Sequence, residues 1–318
     1  MKHSILFLLT VLLFQVCHSQ DHPVSPFSSS PISVNPAATG SFGNSNLRIF
    51  TGFDWGSYAQ KDKGYLLHLA VDKTLLKGSI GVGADFCYTY WSLIYTYSEW
   101  INYLGNTDFM LSAAYHKNLF NGNYKLSAGI QAGFTRNRHY LDREATGITD
   151  NPEYKENIFY PDANIGVLIA GNSKEKLFTP WLGISVSHIF RPDVSHWDLA
   201  VPLYQRVTIN TGTDINISKK IFISPLVLYS VQDRYKFVNL GLSATKNYGK
   251  SIASLGGLYR KSNYGLNYTN QINLIFEYGY GSFDFRAEIL IHTLTSLYHQ
   301  KFYEGIVGLK YTMLENNR

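Results

Sequence analysis

The sequence predicts an all-β fold, a transmembrane outer-membrane β-barrel of about 14 antiparallel strands. Three observations carry this prediction. Apolar and polar residues alternate with period two from residue 46 to 313. Many alternating segments run to about ten residues; at about 3.3 Å per residue and a tilt of about 40°, ten residues rise about 25 Å, the height of an outer-membrane apolar band. Short and long connections largely alternate along the chain, as they do in transmembrane barrels with short periplasmic turns and long external loops. Composition agrees. The 318 residues are 45% hydrophobic, 15% aromatic and only 16% charged, against about 25% charged in a soluble domain. A mean hydropathy of -0.12 is too polar for a bundle of membrane helices, whereas a barrel wall needs apolar residues only at alternate positions. The aromatic content excludes disorder, and Cys 2 excludes a disulfide scaffold.

The elements follow in chain order. Residues 1–19 read as a secretory signal peptide: Lys2 and His3 are the basic start, Ile5 to Val16 is apolar but too short to span a bilayer, and Cys17-His18-Ser19 offers a cut before Gln20. Cleavage at Cys17 as a lipoprotein is the rival reading, disfavoured because Phe14-Gln15-Val16 has no small residue before the Cys. The cut removes Lys2, lowering the formal net charge of +5 by one, and leaves Cys87 as the sole cysteine. A mild charge with no basic run excludes a nucleic-acid partner. Residues 20–45 form an N-terminal segment assigned to the periplasm, 46–314 the barrel, and 315–318 a tail.

Strand segments fall near 46–54, 64–73, 78–91, 107–118, 124–137, 162–170, 180–190, 204–217, 220–231, 236–246, 251–261, 270–279, 283–293 and 303–313. In 124–134 every even position is apolar and every odd one is polar or Gly after Lys125. Val207, Ile209 and Ile215 oppose Arg206, Thr208, Asn210 and Asp214; Val238, Leu240, Leu242 and Ala244 alternate with Asn239, Gly241 and Ser243. Phe283 to Ile289 sets Asp284, Arg286 and Glu288 on one side, and Val307, Leu309, Tyr311 and Met313 close the series. Short turns such as Asn121-Gly122-Asn123 largely alternate with longer connections, the longest about 138–161; the turn near Asp233 is an exception and that at Gly171-Asn172-Ser173 is somewhat long. Alternation alone also fits a soluble secreted β-protein with its faces reversed. Strand number, loop sorting and aromatic content favour the barrel, with apolar side chains on lipid and Arg206, Asp214, Asp284, Arg286 and Glu288 inside, wet or paired.

Several stretches together resemble the PorP/SprF family, outer-membrane proteins of type IX secretion in Bacteroidota. The mature N-terminus, Gln20-Asp21-His22-Pro23 through Ser30-Pro31-Ile32-Ser33-Val34-Asn35-Pro36-Ala37-Ala38-Thr39-Gly40, resembles the family opening. Leu111 to His116 is similar to its Ala-Tyr-His strand and Leu126 to Gly133 to its Gly-x-Gln-x-Gly strand. Asp162 to Gly166, Trp181 to His188 with Arg191-Pro192, and Leu255 to Arg260 follow in order. Two departures stand out. Around 85–106 an aromatic insertion replaces a short Asn-Asp…Gly connection, and the last strand ends on Met313 rather than Phe. The resemblance implies a non-enzymatic role: secretion or surface anchoring of cargo with C-terminal sorting domains, gliding adhesins among them. It implies partners in a periplasmic peptidoglycan-binding or secretion-machine protein and in outer-membrane lipid.

Chemical motifs are sparse. The histidines show neither His-Glu-x-x-His nor His-x-His spacing, so no metal or other cofactor is expected. Gly183-Ile184-Ser185-Val186-Ser187 fails the nucleophile-elbow pattern at its last position. Gly78-Ser79-Ile80-Gly81-Val82-Gly83 lacks the helix a phosphate cradle needs; strand glycines there relieve crowding inside a barrel. Candidate partner-binding residues are of two kinds. Asn35 and Pro36 read either as a rigid turn entering the first strand or as a periplasmic docking segment. Trp91, Tyr95, Tyr97, Trp100 and Tyr103, beside Tyr88 and Tyr90, read either as an interfacial girdle or as an external loop gripping a partner, with Trp100 in that loop. The function expected is a secretion barrel. A solute channel is the alternative, since fourteen strands can enclose a lumen, and an outer-membrane enzyme or soluble surface protein comes last.

Overall fold

A computed structural model describes residues 30–41, 45–55, 63–95, 100–141, 154–172, 177–196, 200–264, 267–294 and 301–313. The expected signal peptide and the tail after Met313 lie outside the described residues. A four-residue helix α1 (Pro31–Val34) and a 3-10 turn at Pro36–Ala38 precede the sheet. The strands are β1 (Ser45–Trp55), β2 (Lys63–Leu75), β3 (Ile80–Tyr95), β4 (Trp100–Leu119), β5 (Tyr124–Leu141), β6 (Asn157–Gly171) and β7 (Phe178–Ser187). They continue as β8 (Arg206–Ser218), β9 (Ile221–Gln232), β10 (Tyr235–Asn247), β11 (Ser251–Tyr264), β12 (Asn267–Tyr280), β13 (Phe283–Leu294) and β14 (Lys301–Met313). Each pairs antiparallel with its sequence neighbours, and β1 closes on β14 from Ser45↔Met313 to Trp55↔Tyr303. Closure leaves no unpaired edge, the condition for crossing lipid with strands. An even strand count brings the start of β1 and the end of β14 to the same rim. That rim also carries tight turns at Lys219–Lys220, Tyr248–Lys250 with Gly249 at φ 94, and Gly281–Ser282 with Gly281 at φ 61, while the opposite rim has one at Asp233–Arg234.

The pleat sorts the side chains as the alternation requires. On β5, Leu126, Ile130 and Phe134 are exposed on the outer wall, while Ser127, Gln131 and Thr135 are buried on the inner one. The same holds for Val167 against Asn164, Leu242 against Asn239, and Leu274 against Asn273. Polar groups thus lie inside and apolar groups outside, which selects a lipid-facing barrel over a soluble one. The inward charges are partnered: Arg286 binds Glu277 and Glu288, the latter at 3.1 Å; Lys310 meets Asp284 at 3.0 Å; Ser224 donates to Asp214 at 2.6 Å.

Strand ends differ from the sequence expectation mainly at the far rim. β4 begins at Trp100 rather than near 107, and β6 at Asn157 rather than near 162. Beyond the apolar band, alternation fades because both faces meet water, but the backbone ladder still satisfies its own donors and acceptors and the strands run on. The described parts of the connection after β7, residues 188–196 and 200–205, turn inward over this rim. Val194 and Leu203 pack with Tyr160 of β6 in one buried cluster.

Candidate functional site: an occupied lumen

The main correction concerns residues 30–41. Expected to lie in the periplasm, they sit inside the barrel, with Ser30, Asn35, Ala37, Ala38 and Thr39 fully buried. Ser33 reaches His68 on β2 and Asp85 on β3, while Ala37 and Ala38 belong to one apolar cluster with Leu168, Leu228, Tyr235 and Phe237. β2 and β9 stand half a circumference apart in the fourteen-strand ring. The segment therefore spans the lumen. Those large apolar residues break the polar character of the inner wall, and the two alanines cover them. Burying such side chains contributes about 25 cal/mol per Å2 of apolar area.

The wall is shaped for this segment. A Cβ at Gly166 would lie 2.0 Å from Asn35 Oδ1, and at Gly183 2.7 Å from Asn35 Nδ2. At Gly129 it would lie 2.4 Å from the Pro36 carbonyl, and at Gly81 1.9 Å from that of Thr39. Four strands thus carry glycine where the segment's backbone or Asn35 presses closest, so the strand glycines relieve crowding against an internal segment. Asn35 is the central fastener. Its Oδ1 accepts from Ala37 N at 3.0 Å, capping the 3-10 turn, and its Nδ2 donates to the carbonyls of Val167 at 3.1 Å and Ile184 at 3.4 Å. Pro36 supplies the fixed φ at the first position of that turn.

An irregular segment buried in a lumen must find partners for its backbone groups, and here the wall side chains supply them. Ser185 Oγ donates to Val34 O at 2.7 Å, Lys125 Nζ to Ser41 O at 3.1 Å and Thr74 Oγ1 to Gly40 O at 2.6 Å. Gly40 N donates to Asp72 at 2.9 Å, and Arg48 holds the same carboxylate at 2.5 Å. His116 donates from Nε2 to Thr39 O at 2.9 Å, and its Nδ1 shares a hydrogen bond with Ser127 Oγ at 2.8 Å.

Ser33, His68 and Asp85 form a contact that spacing along the chain could not reveal. Its order differs from a hydrolytic triad. Ser33 Oγ and Asp85 Oδ1 both address the same ring nitrogen, His68 Nε2, at 3.2 and 3.0 Å, and Ser33 also donates directly to Asp85. In a triad the carboxylate holds the opposite nitrogen so that the ring can take the serine proton; here buried His68 Nδ1 has no partner among the described residues. The arrangement fastens Ser33 to the wall. Among the described residues no group of three or more His, Cys, Asp or Glu could hold a metal ion.

The aromatic candidates lie elsewhere, on the β3–β4 hairpin near the far rim. Tyr95 pairs with Trp100, Trp91 with Leu104, and Tyr103 with Ser92 on β3 and Tyr140 on β5. Trp100 is thus the first residue of β4 and not a loop residue, because the backbone ladder between β3 and β4 runs on to Tyr95↔Trp100. Tyr97 lies outside the described residues, as do the side chains of the other four. The structure does not bring Asn35 and Pro36 together with this cluster. The glycine cradle and the lumen-facing Asp72 and His116 were missed from sequence; four glycines at inward strand positions were the available signal.

Several solved barrels share this architecture. The CymD monoaromatic hydrocarbon channel aligns with a TM-score of 0.55 and 11% identity over 89% of this chain and 92% of its own. The Pseudomonas putida toluene transporter TodX gives 0.54 and 8% over 89% and 93%, and a Pseudomonas aeruginosa FadL homologue 0.53 and 8% over 91% and 95%. At such identities the likeness concerns the outer-membrane barrel fold alone. No curated protein matches the chain. The family described as "Type IX secretion system membrane protein PorP/SprF" matches residues 16–308, nearly all of an outer-membrane barrel with these motifs, and the chain therefore belongs to the PorP/SprF family.

Proposed function

We propose that this barrel supports secretion or cell-surface anchoring of cargo proteins bearing a C-terminal sorting domain, gliding adhesins among them, in the outer membrane of a Bacteroidota-like cell, after export through its signal peptide. The long-connection rim, with the Trp91, Tyr95, Tyr97, Trp100 and Tyr103 stretch, receives cargo. The short-turn rim faces a periplasmic peptidoglycan-binding or secretion-machine protein. The supporting observation is the spanned lumen: a barrel whose interior holds residues 30–41 in a fitted cradle presents its rims, rather than an open bore, to partners. A non-enzymatic role accords with Ser33 and Asp85 meeting the same nitrogen of His68.

The second reading is a solute channel. It draws on the fold shared with CymD and TodX, which are named as a hydrocarbon channel and a toluene transporter. Gentle detergent pull-down of the tagged full chain from native outer membranes, with mass spectrometry, separates the two. Recovery of a large surface protein with a sorting domain, or of a peptidoglycan-binding partner, is the expected result. Recovery of the barrel alone in good yield favours the channel.

A further inference from the structure

The outer wall carries a second feature, unrelated to the lumen. Across β3, β4 and β5 two rows of paired residues lie side by side: Tyr90–Gly105–Arg138 and Tyr88–Thr107–Arg136. Small residues on the central strand and long ones on both flanks leave a groove with Gly105 and Thr107 as its floor. With Tyr140 these residues line a cavity of about 460 Å3. The rows share the outward face with Phe109 and Phe134, which are 47% and 51% exposed.

The height of the groove says what it meets. Outward positions on β5 run from Leu126 through Ile130 and Phe134 to Arg136 and Arg138. Ten residues from Leu126 to Arg136 climb about 25 Å, the full apolar band, so the two arginines stand at headgroup level. A cation on the lipid face is costly at the midplane and tolerated at the interface, which fits this position. Arg136 donates from Nε and Nη2 to the neutral Asn157 Oδ1 at 3.1 and 2.8 Å, a contact that orients the guanidinium without neutralising it. Arg138 pairs with Glu156 at 2.8 Å, but with side chains 55% and 31% exposed that pair is weak and exchangeable.

We infer that this groove binds the phosphorylated sugar headgroup of an acylated outer-leaflet glycolipid. Paired guanidinium groups match phosphate oxygens bidentately. Tyr88, Tyr90 and Tyr140 bring phenol hydroxyls that can exchange hydrogen bonds with sugar hydroxyls. The acyl chains continue down the same face over Phe109 and Phe134. This inference rests on the same orientation, with the long-connection rim outward, and does not require that the barrel handle cargo.

The test is native mass spectrometry of the detergent-purified full chain with three probes: bis-phosphorylated lipid A, its dephosphorylated counterpart, and inorganic phosphate. The wild type is expected to retain the phosphorylated lipid, and inorganic phosphate in excess leaves that adduct in place. Arg136→Gln/Arg138→Gln is expected to lower retention about tenfold or more, with heat-modifiable gel migration unchanged. Arg136→Lys/Arg138→Lys, which keeps the charge, serves if the first variant misfolds and is expected to lose retention partially, since an ammonium cannot make the bidentate contact. Equal retention of the dephosphorylated lipid, or full retention by folded Gln and Lys variants, overturns the proposal. Displacement by inorganic phosphate also overturns it, in favour of a soluble-anion site.

Discussion

Asn35 makes three hydrogen bonds from a fully buried side chain, and two of them end on strand carbonyls of the barrel wall. Asn35→Ala strips Val167 O and Ile184 O of that donor and uncaps the turn at Pro36. The expected cost to docking of the segment is about 1–3 kcal/mol, read as faster proteolysis within residues 30–41 at unchanged heat-modifiable migration. Gly166→Ala acts on the same contact from the wall, since the added methyl falls within 2.0 Å of Asn35 Oδ1 and the backbone beneath it cannot retreat. A similar release, about 1–3 kcal/mol, is expected from overpacking; a Gly166→Ala protein whose segment is cleaved no faster than wild type would show the cradle to be loose. At this scale sequence reading was uneven. The inward charges Arg286 and Glu288 were legible because alternation assigns a face to each residue. Asn35 and Pro36 were not, since Asn-Pro-Ala-Ala has no periodicity and its partners lie on distant strands. Leu168, Leu228 and Phe237 on inward positions become intelligible once Ala37 and Ala38 cover them.

The connection at 188–205 illustrates what an element adds. His196 Nδ1 donates to Lys155 O at 2.6 Å, and its ring stacks on Tyr154 and meets His139 edge-on, tying this connection to the approach of β6. Burial holds the His196 imidazole below its ordinary value of 6.5, with the Lys155 hydrogen bond pulling the other way. A base depressed in the folded state favours folding with its proton off. The clasp is therefore intact above pH 6.5, and a penalty grows as pH falls below that value until the folded pKa is passed. Proteolysis of this connection should quicken as pH falls below 6.5, and His196→Gln should flatten that dependence. The β3–β4 hairpin makes a second element-scale prediction. If its aromatic rim contacts cargo, Trp100→Ala reduces cargo retention severalfold at normal barrel abundance; unchanged retention removes Trp100 from the cargo site. Strand existence was legible throughout because period two is a local signal. Strand ends at the far rim were not, because β4 and β5 outrun the membrane that imposes the pattern.

The whole molecule combines a generic wall with a particular filling. Fourteen strands, closure and the sorting of faces follow from lipid outside and polar groups inside, and they place the chain among outer-membrane barrels regardless of what it transports. The filling distinguishes it: an N-terminal segment that returns through the lumen, held by glycines, by Asp72 with Arg48, and by His116. No sequence period encodes such a return, because it depends on contacts between residues more than 130 positions apart, as between Asn35 and Ile184. Single-channel conductance in planar bilayers tests the occupied lumen most directly, comparing the mature full chain with a variant lacking residues 30–41. The full chain should be nearly silent and the deletion should conduct with discrete openings while keeping heat-modifiable migration. Equal, sustained conductance from both proteins would mean that residues 30–41 do not obstruct the bore, and would contradict a barrel that works through its rims.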